Sequence, residues 1–268
     1  FMIDFERAQL RSANDETARR FMLAKIDREL AGAPAGDRMR FLWAYCRGDR
    51  AATRQWWQRV EDFAPKLARR DFARLTRKTT RPGRRFRRLS HDAWRGYAQV
   101  GTDDTVLVAA LPEELASAGN TSIDTSEGLW RVQYAGIRRS EARRIWAMAN
   151  FLWARGGLCP RPLGAWHRGN QTVLLLEQRP GAKPLVQCPD PRRALAAARI
   201  LLDRLLALAE IREPLPPEGV VIERQRGSAL RASLAAPHAV FLGRVAGQMR
   251  RERVSELICA LQESSARL

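Results

Sequence analysis

Cysteine and histidine are scarce in this chain. The four cysteines, Cys46, Cys159, Cys188 and Cys259, are scattered, form no CxxC pair and have no histidine beside them. That leaves no zinc-ligand spacing and no disulfide framework, and they read as buried thiols in a reducing compartment, the cytoplasm by default. The three histidines, His91, His167 and His238, are isolated from one another and read as turn or surface residues. No run of 18 uncharged apolar residues occurs, so no segment is suited to span a bilayer as a helix. The first twenty residues mix Asp4, Glu6, Asp15 and Glu16 with arginines, which is not the pattern of a secretory signal peptide. GxxxxGK[ST], HExxH and GxSxG are all missing, which removes the common phosphate-loop, zinc-protease and serine-hydrolase readings.

What the chain does have is apolar content and positive charge. Apolar residues make up 45% of the 268, with eight tryptophans, enough for one large domain or two small ones. The net charge is +18 and is unevenly spread. Between Lys66 and Arg88 eleven basic residues face a single acid, Asp71. Arg81, Arg84, Arg85, Arg87 and Arg88 form its densest part and are the candidate anion- or acceptor-binding patch. Such a field attracts phosphates of nucleic acid, lipid headgroups or phosphorylated glycans. A solvated arginine-rich surface is the plainer alternative.

The opening Phe1-Met2-Ile3-Asp4-Phe5-Glu6-Arg7 reads as a buried strand that delivers a carboxylate to its end. A chain that starts on such a strand reads as a piece of a longer protein. Helices are expected over 16–30, over 37–46 with Met39, Phe41, Leu42 and Tyr45 inward, and over 51–69, where Pro65 kinks or divides the last. The character changes near Leu89. Strands are expected over 105–110 and 129–134, then a helix over 140–155 capped by Ser140, with Ala142, Ile145, Trp146, Ala149, Leu152 and Trp153 buried and Gly156-Gly157 ending it. A hairpin follows over 163–177, then a Pro180-Gly181 loop and a helix over 191–210. Short strands at 220–222 and 239–242 and a final helix over 250–267 complete an α+β chain. The Trp56-Trp57 and Trp146/Trp153 pairs sit at helical spacing, which favours core packing.

The order strand, strand, helix, hairpin, Pro-Gly loop, long helix resembles a protein-kinase-like small lobe passing into its large lobe. The runs Gly156-Gly157-Leu158-Cys159-Pro160-Arg161-Pro162-Leu163 and Leu174-Leu175-Leu176-Glu177 are similar to those of the lipopolysaccharide core heptose/Kdo kinases. Ile3-Asp4-Phe5-Glu6-Arg7-Ala8 resembles the metal-binding strand end of that family, and Arg38–Tyr45 resembles a large-lobe helix. The resemblance implies a helical large-lobe remnant, residues 1–88, followed by a second, degenerate kinase-like domain, residues 89–268. A tandem explains that order, and circular permutation is the rarer alternative.

For the intact protein the resemblance implies ATP and Mg²⁺ as cofactors and phosphorylation of a core heptose or Kdo in lipopolysaccharide biosynthesis. It places the protein in the cytoplasm, peripheral at the inner membrane, with an anionic glycolipid or membrane surface as partner. Asp4 matches the metal carboxylate, although an exposed N-terminal acid is the alternative. In the second domain the phosphate-binding lysine falls at or near Gln133, and Glu141 is either its helix carboxylate or an ordinary first-turn acid. No Asp follows Asp203 and no Asn follows Asn170, so the base, its Asn and the metal acid of phosphoryl transfer are all missing there. At the expected metal position stands Phe241-Leu242-Gly243-Arg244. A pseudokinase, inactive in this chain, is the expectation. The rivals are a non-catalytic basic module that binds nucleic acid or anionic membrane, the nucleic acid disfavoured because no recognition pattern accompanies the charge, and a pseudokinase scaffold for an upstream domain.

Overall fold

The computed structural model describes residues 15–29, 35–112, 121–126, 128–206, 209–211, 215, 217–224, 230–242 and 247–266. The expected opening strand and Asp4 lie outside the described residues. Two compact units divide the chain, Phe1–Ala68 and Arg69–Leu268. The expected change at Leu89 therefore falls inside the second unit. Trp146 accounts for this, since its Nε1 donates to Thr79 O at 3.0 Å, and the Phe72 ring stacks edge-on against Phe151 at 5.9 Å. Both contacts tie residues 69–88 to the helix that carries Trp146 and Phe151.

The first unit contains α1 (Glu16–Glu29), α2 (Ala35–Tyr45) and the opening turns of α3 (Arg50–Thr79). Leu23, Ala24, Leu42, Trp56, Val60 and Leu67 make its core. Met39 and Phe41, expected inward, are exposed, and Arg38 is buried in their place. Arg38, Leu42 and Tyr45 share one face by the i, i+4, i+7 rule. The cation is tolerated there because its Nη1 donates to Asp27 Oδ1 at 3.0 Å and its guanidinium lies 5.5 Å from the Trp57 ring. The expected division at position 65 does not occur, and α3 is one helix of 30 residues. Leu67 and Ala68, buried just past the proline, anchor the helix on its far side.

The second unit is built on a six-stranded antiparallel sheet. Its strands are β1 (Phe86–His91), β2 (Trp94–Gln99), β3 (Thr121–Ser126), β4 (Leu129–Ala135), β5 (Pro162–Arg168) and β6 (Gln171–Glu177), in the order β1-β2-β5-β6-β4-β3. One face, formed by Leu89, Trp94, Ala98, Trp166, Val173 and Leu175, is covered by α4 (Asp104–Ala109). The β-branched residues of this segment favour a strand, contrary to what is found. It is a helix because Asp103 caps it, Oδ1 accepting from Thr105 N at 2.9 Å, and because Leu107 fills the space under the tryptophans. The Leu107 carbonyl then accepts from Trp166 Nε1 at 3.0 Å.

The opposite face carries α5 (Arg139–Ala154). Phe86 meets Trp146 edge-on at 6.1 Å, and Arg143 Nε donates to Tyr97 Oη at 2.9 Å. Ala142, Ile145, Trp146, Ala149 and Leu152 are buried as their spacing requires, whereas Trp153 is exposed. Arg138, not Ser140, takes the N-cap position, with no side-chain cap bond. The β5–β6 turn is two residues, Gly169-Asn170, with Gly169 at φ +58, the geometry of a type II′ hairpin.

Beyond the hairpin lie β7 (Lys183–Pro184), α6 (Pro191–Leu206), β8 (Ala209–Ile211), β9 (Val220–Arg224), β10 (Leu230–Leu234), β11 (Val240–Leu242) and α7 (Gly247–Ala266). Strand β8 takes residues that were expected to continue the long helix. Strands β10-β9-β7 and β11-β8 form two small antiparallel sheets, and Ala194, Ala198, Leu201, Leu202 and Leu205 bury the inner face of α6. The fold is of the α+β class. No helix among the described residues is long and apolar enough to cross a membrane.

Candidate functional site

Two places in the second unit bring chemistry together. The first is a basic cleft at the end of α3. Arg74, Arg77 and Lys78 lie three and four residues apart at the end of α3, and Arg81 follows in the bend just past Thr79. The chain then turns through Pro82-Gly83, where Gly83 N donates to Phe86 O at 2.8 Å, and presents Arg84 and Arg85 across from the helix. These six cations, with Pro82, Gly83 and Phe86, line a cleft of about 500 Å³, with no carboxylate among the described lining residues. All six are exposed. Among the described residues none of their side chains makes a hydrogen bond or an ion pair.

Of the patch expected from the sequence, Arg81, Arg84 and Arg85 lie in this cleft. Arg87 points to the other face of the sheet, where it pairs with Asp104 at 2.6 Å and donates to Thr102 O at 2.7 Å. Arg88 is exposed on β1 outside the cleft lining. The strand alternation separates Arg87 from Arg88. Arg74, Arg77 and Lys78 were missed as site residues, although their spacing of three and four is readable in the sequence. The lone acid of the basic run, Asp71, is taken up elsewhere, 3.5 Å from Arg155. The positive field continues along the sheet, where burial foremost, then Arg139, Arg143 and Arg95, hold the His167 pKa below its ordinary value.

The second place is a crevice beside the Pro180-Gly181 loop, lined by Trp130, Cys159, Glu177, Arg179, Val221 and Glu223 among others. Its cavity is about 20 Å³, room for roughly one water. Glu223 accepts from Arg179 Nη1 at 3.0 and 3.2 Å and lies 3.7 Å from Arg231 Nε. Arg231 Nη2 in turn donates to the carbonyls of Gly156 and Gly157. Both glycines have positive φ, and a side chain at Gly157 would collide with the Arg231 guanidinium. The Gly-Gly pair that ends α5 thus also makes room for a cation arriving from β10.

Among the described residues, the positions given to phosphoryl transfer are not assembled into a site. Gln133 sits mid-strand in β4, opposite Val173 and Ser122. Glu141 lies 3.5 Å from Arg144 Nη2, one turn along its own helix. Phe241 and Leu242 belong to β11, with residues 243–244 outside the described set. No group of three or more His, Cys, Asp or Glu that could hold a metal occurs among the described residues. Mg²⁺ and ATP call for free carboxylates and a phosphate-binding lysine. Both carboxylates that line the crevice stand beside guanidiniums, Glu223 by Arg179 and Arg231 and Glu177 by Arg161, and no lysine is among the lining residues, so the residues described there do not fit that pair. Cys159 is buried, Cys46 and Cys188 are half-buried and Cys259 is exposed, so not all the thiols are interior.

Compared with known proteins, the chain matches no family model, and no curated protein or solved structure resembles it significantly.

Proposed function

We propose that this chain is a non-catalytic binding module: a degenerate kinase-like domain, related to the lipopolysaccharide core sugar kinases, that docks on an anionic glycolipid or membrane surface. The observation that carries the proposal is the basic cleft, six cations with no acid among the described lining residues. Other arginines of this unit, such as Arg87, Arg155, Arg161, Arg179 and Arg253, stand within 4 Å of a carboxylate. A group of unpaired like charges is stabilised by an external anion.

Support for the kinase-like part is the succession β4, α5, the β5–β6 hairpin, the Pro-Gly loop and α6, with α5 laid across the sheet. Support for the loss of catalysis is the missing base, Asn and metal acid, together with the crevice filled by Glu223 and its arginines. Nucleic acid is the weaker partner for the cleft. The one aromatic among its described lining residues, Phe86, is half-buried against Trp146 and offers no stacking face.

Two measurements test the reading. Incubation with Mg-ATP and purified lipopolysaccharide core acceptor is expected to transfer no phosphate, and robust turnover would refute it. Co-sedimentation with anionic vesicles should exceed binding to single- or double-stranded DNA at matched salt, and the reverse order would hand the function to the nucleic-acid rival.

A further inference from the structure

We infer that the cleft between the end of α3 and the start of β1 is a defined site for a compact group bearing several phosphates, not merely part of a diffuse positive surface. The inference rests on the binding-module reading and narrows it to a ligand chemistry. Three features of the cleft point the same way. Its volume, about 500 Å³, is in the range of small-molecule sites and exceeds what one phosphate fills. Its walls come from two directions, three cations from the end of α3 and three, Arg81, Arg84 and Arg85, from the turn that follows it, so charge surrounds the space. A single phosphate dianion would leave most of the six charges uncompensated, whereas two or three clustered phosphates would match them.

The cleft is also placed where extra positive charge is tolerated. Arg77 and Lys78 occupy the last turn of α3, where the helix carbonyls favour cations. The turn that carries Arg84 and Arg85 is held by backbone bonds, Gly83 N to Phe86 O at 2.8 Å and Val100 N to Arg85 O at 2.9 Å. Those bonds leave both guanidiniums at liberty to form bidentate contacts with phosphate oxygens. Phosphates on a lipid headgroup and on a soluble molecule share this chemistry.

The probe is inorganic tripolyphosphate, titrated calorimetrically into the full chain at fixed ionic strength, with orthophosphate as comparison. One tripolyphosphate should bind per chain. Arg77→Ala/Arg81→Ala/Arg84→Ala together should weaken it by about tenfold or more. Arg54→Ala/Arg138→Ala/Arg192→Ala, which remove equal charge from exposed positions outside the cleft, should change it by less than about twofold. Circular dichroism checks that both triple variants remain folded.

Vesicles then assign the source. Retention on phosphatidylcholine vesicles doped with a bisphosphorylated-headgroup lipid, above that on phosphatidylglycerol vesicles of equal charge and lost in the cleft variant, assigns the phosphates to a lipid. Equal retention on both, with tripolyphosphate affinity intact, assigns them to a soluble molecule. The inference is overturned if orthophosphate binds as tightly as tripolyphosphate, or if the control variant loses as much as the cleft variant. Vesicle binding without tripolyphosphate binding would overturn the site and leave the basic module standing. Failure to bind any anionic probe at low salt would remove both.

Discussion

Arg231 and Glu223 stand directly opposite one another in the β9–β10 ladder, and the same guanidinium reaches past its partner to the carbonyls that close α5. The pair therefore joins the small hairpin to the end of the helix lying across the large sheet. Glu223→Ala leaves Arg231 and Arg179 without their shared acid. The expected cost is about 2 kcal/mol, lowering the melting temperature of the second unit by about 4–8 °C. Glu223→Gln, which keeps an acceptor oxygen, should cost about half of that. A melting temperature unmoved by the alanine would mean that the ion cluster contributes nothing to folding.

Gly96 and Gly36 should respond in opposite senses to the same substitution. A methyl group at Gly96 would collide with the carbonyl oxygen of Ala165 on the neighbouring strand. Gly96→Ala should therefore destabilise by about 3 kcal/mol, through a shift of backbone and not of a side chain. Gly36 lies in α2 with nothing within 4 Å of the added carbon, so Gly36→Ala should be neutral or stabilise by about 0.5 kcal/mol. Denaturant titration of the two variants checks the contrast.

His238 makes the fold sensitive to acid. Burial foremost, then Arg144, depress its pKa from 6.5 to about 4, and its Nδ1 lies 3.3 Å from Tyr134 Oη. Between those two values the unfolded chain binds the proton and the folded chain does not. Stability is thus fully present above pH 6.5 and falls as the pH drops toward 4, by up to about 3 kcal/mol from this group. His167, shifted in the same direction, adds to the slope. Thermal melts from pH 7.5 to 4 should show the decline, and His238→Gln should flatten it. Parallel profiles for wild type and variant would exclude His238 as the source.

Thiol labelling should sort the cysteines by depth. Cys259 is exposed on α7, whereas Cys159 is fully buried and burial pushes its thiol pKa far up. A disulfide reagent under native conditions should modify Cys259 first and leave Cys159 untouched until the chain unfolds. Early modification of Cys159 would contradict the packing around the crevice.

The parts of this fold that could be read from the sequence were those where one local signal had no competitor. The stripe from Ala142 to Leu152 and the Gly169-Asn170 turn each specify their element without help from distant residues. The segment Thr105–Ala110 misled because β-branched composition argues for a strand, while a cap at Asp103 and a pocket under Trp94 and Trp166 decide for a helix. Strands β1 and β2 were overlooked for a different reason. Phe86 and Leu89 fall on opposite faces, and Gly96 separates Trp94 from Ala98 on one face, so with arginines and Ser90 between them the period of two is faint until the partner strands supply both faces. Arg38 was passed over because a charged residue on an apolar face becomes plausible only once Asp27, on another helix, is known to meet it. The basic cleft was half legible: the density of charge was plain, but the helical register of Arg74, Arg77 and Lys78, the turn that brings in Arg81 and the departure of Arg87 to the opposite face depend on where α3 ends and β1 begins.

Among the described residues strand β1 forms one border of the six-stranded sheet, with Arg88 and Ser90 exposed along it. An unpaired border strand invites a second chain to zip onto it, and a guanidinium there makes a like-charged copy an unwelcome neighbour. The same cationic margin can thus keep the molecules apart in dilute buffer. Polyanions that mask it remove this guard, so light scattering should rise as an excess of such polymer is added and subside when salt strips it away.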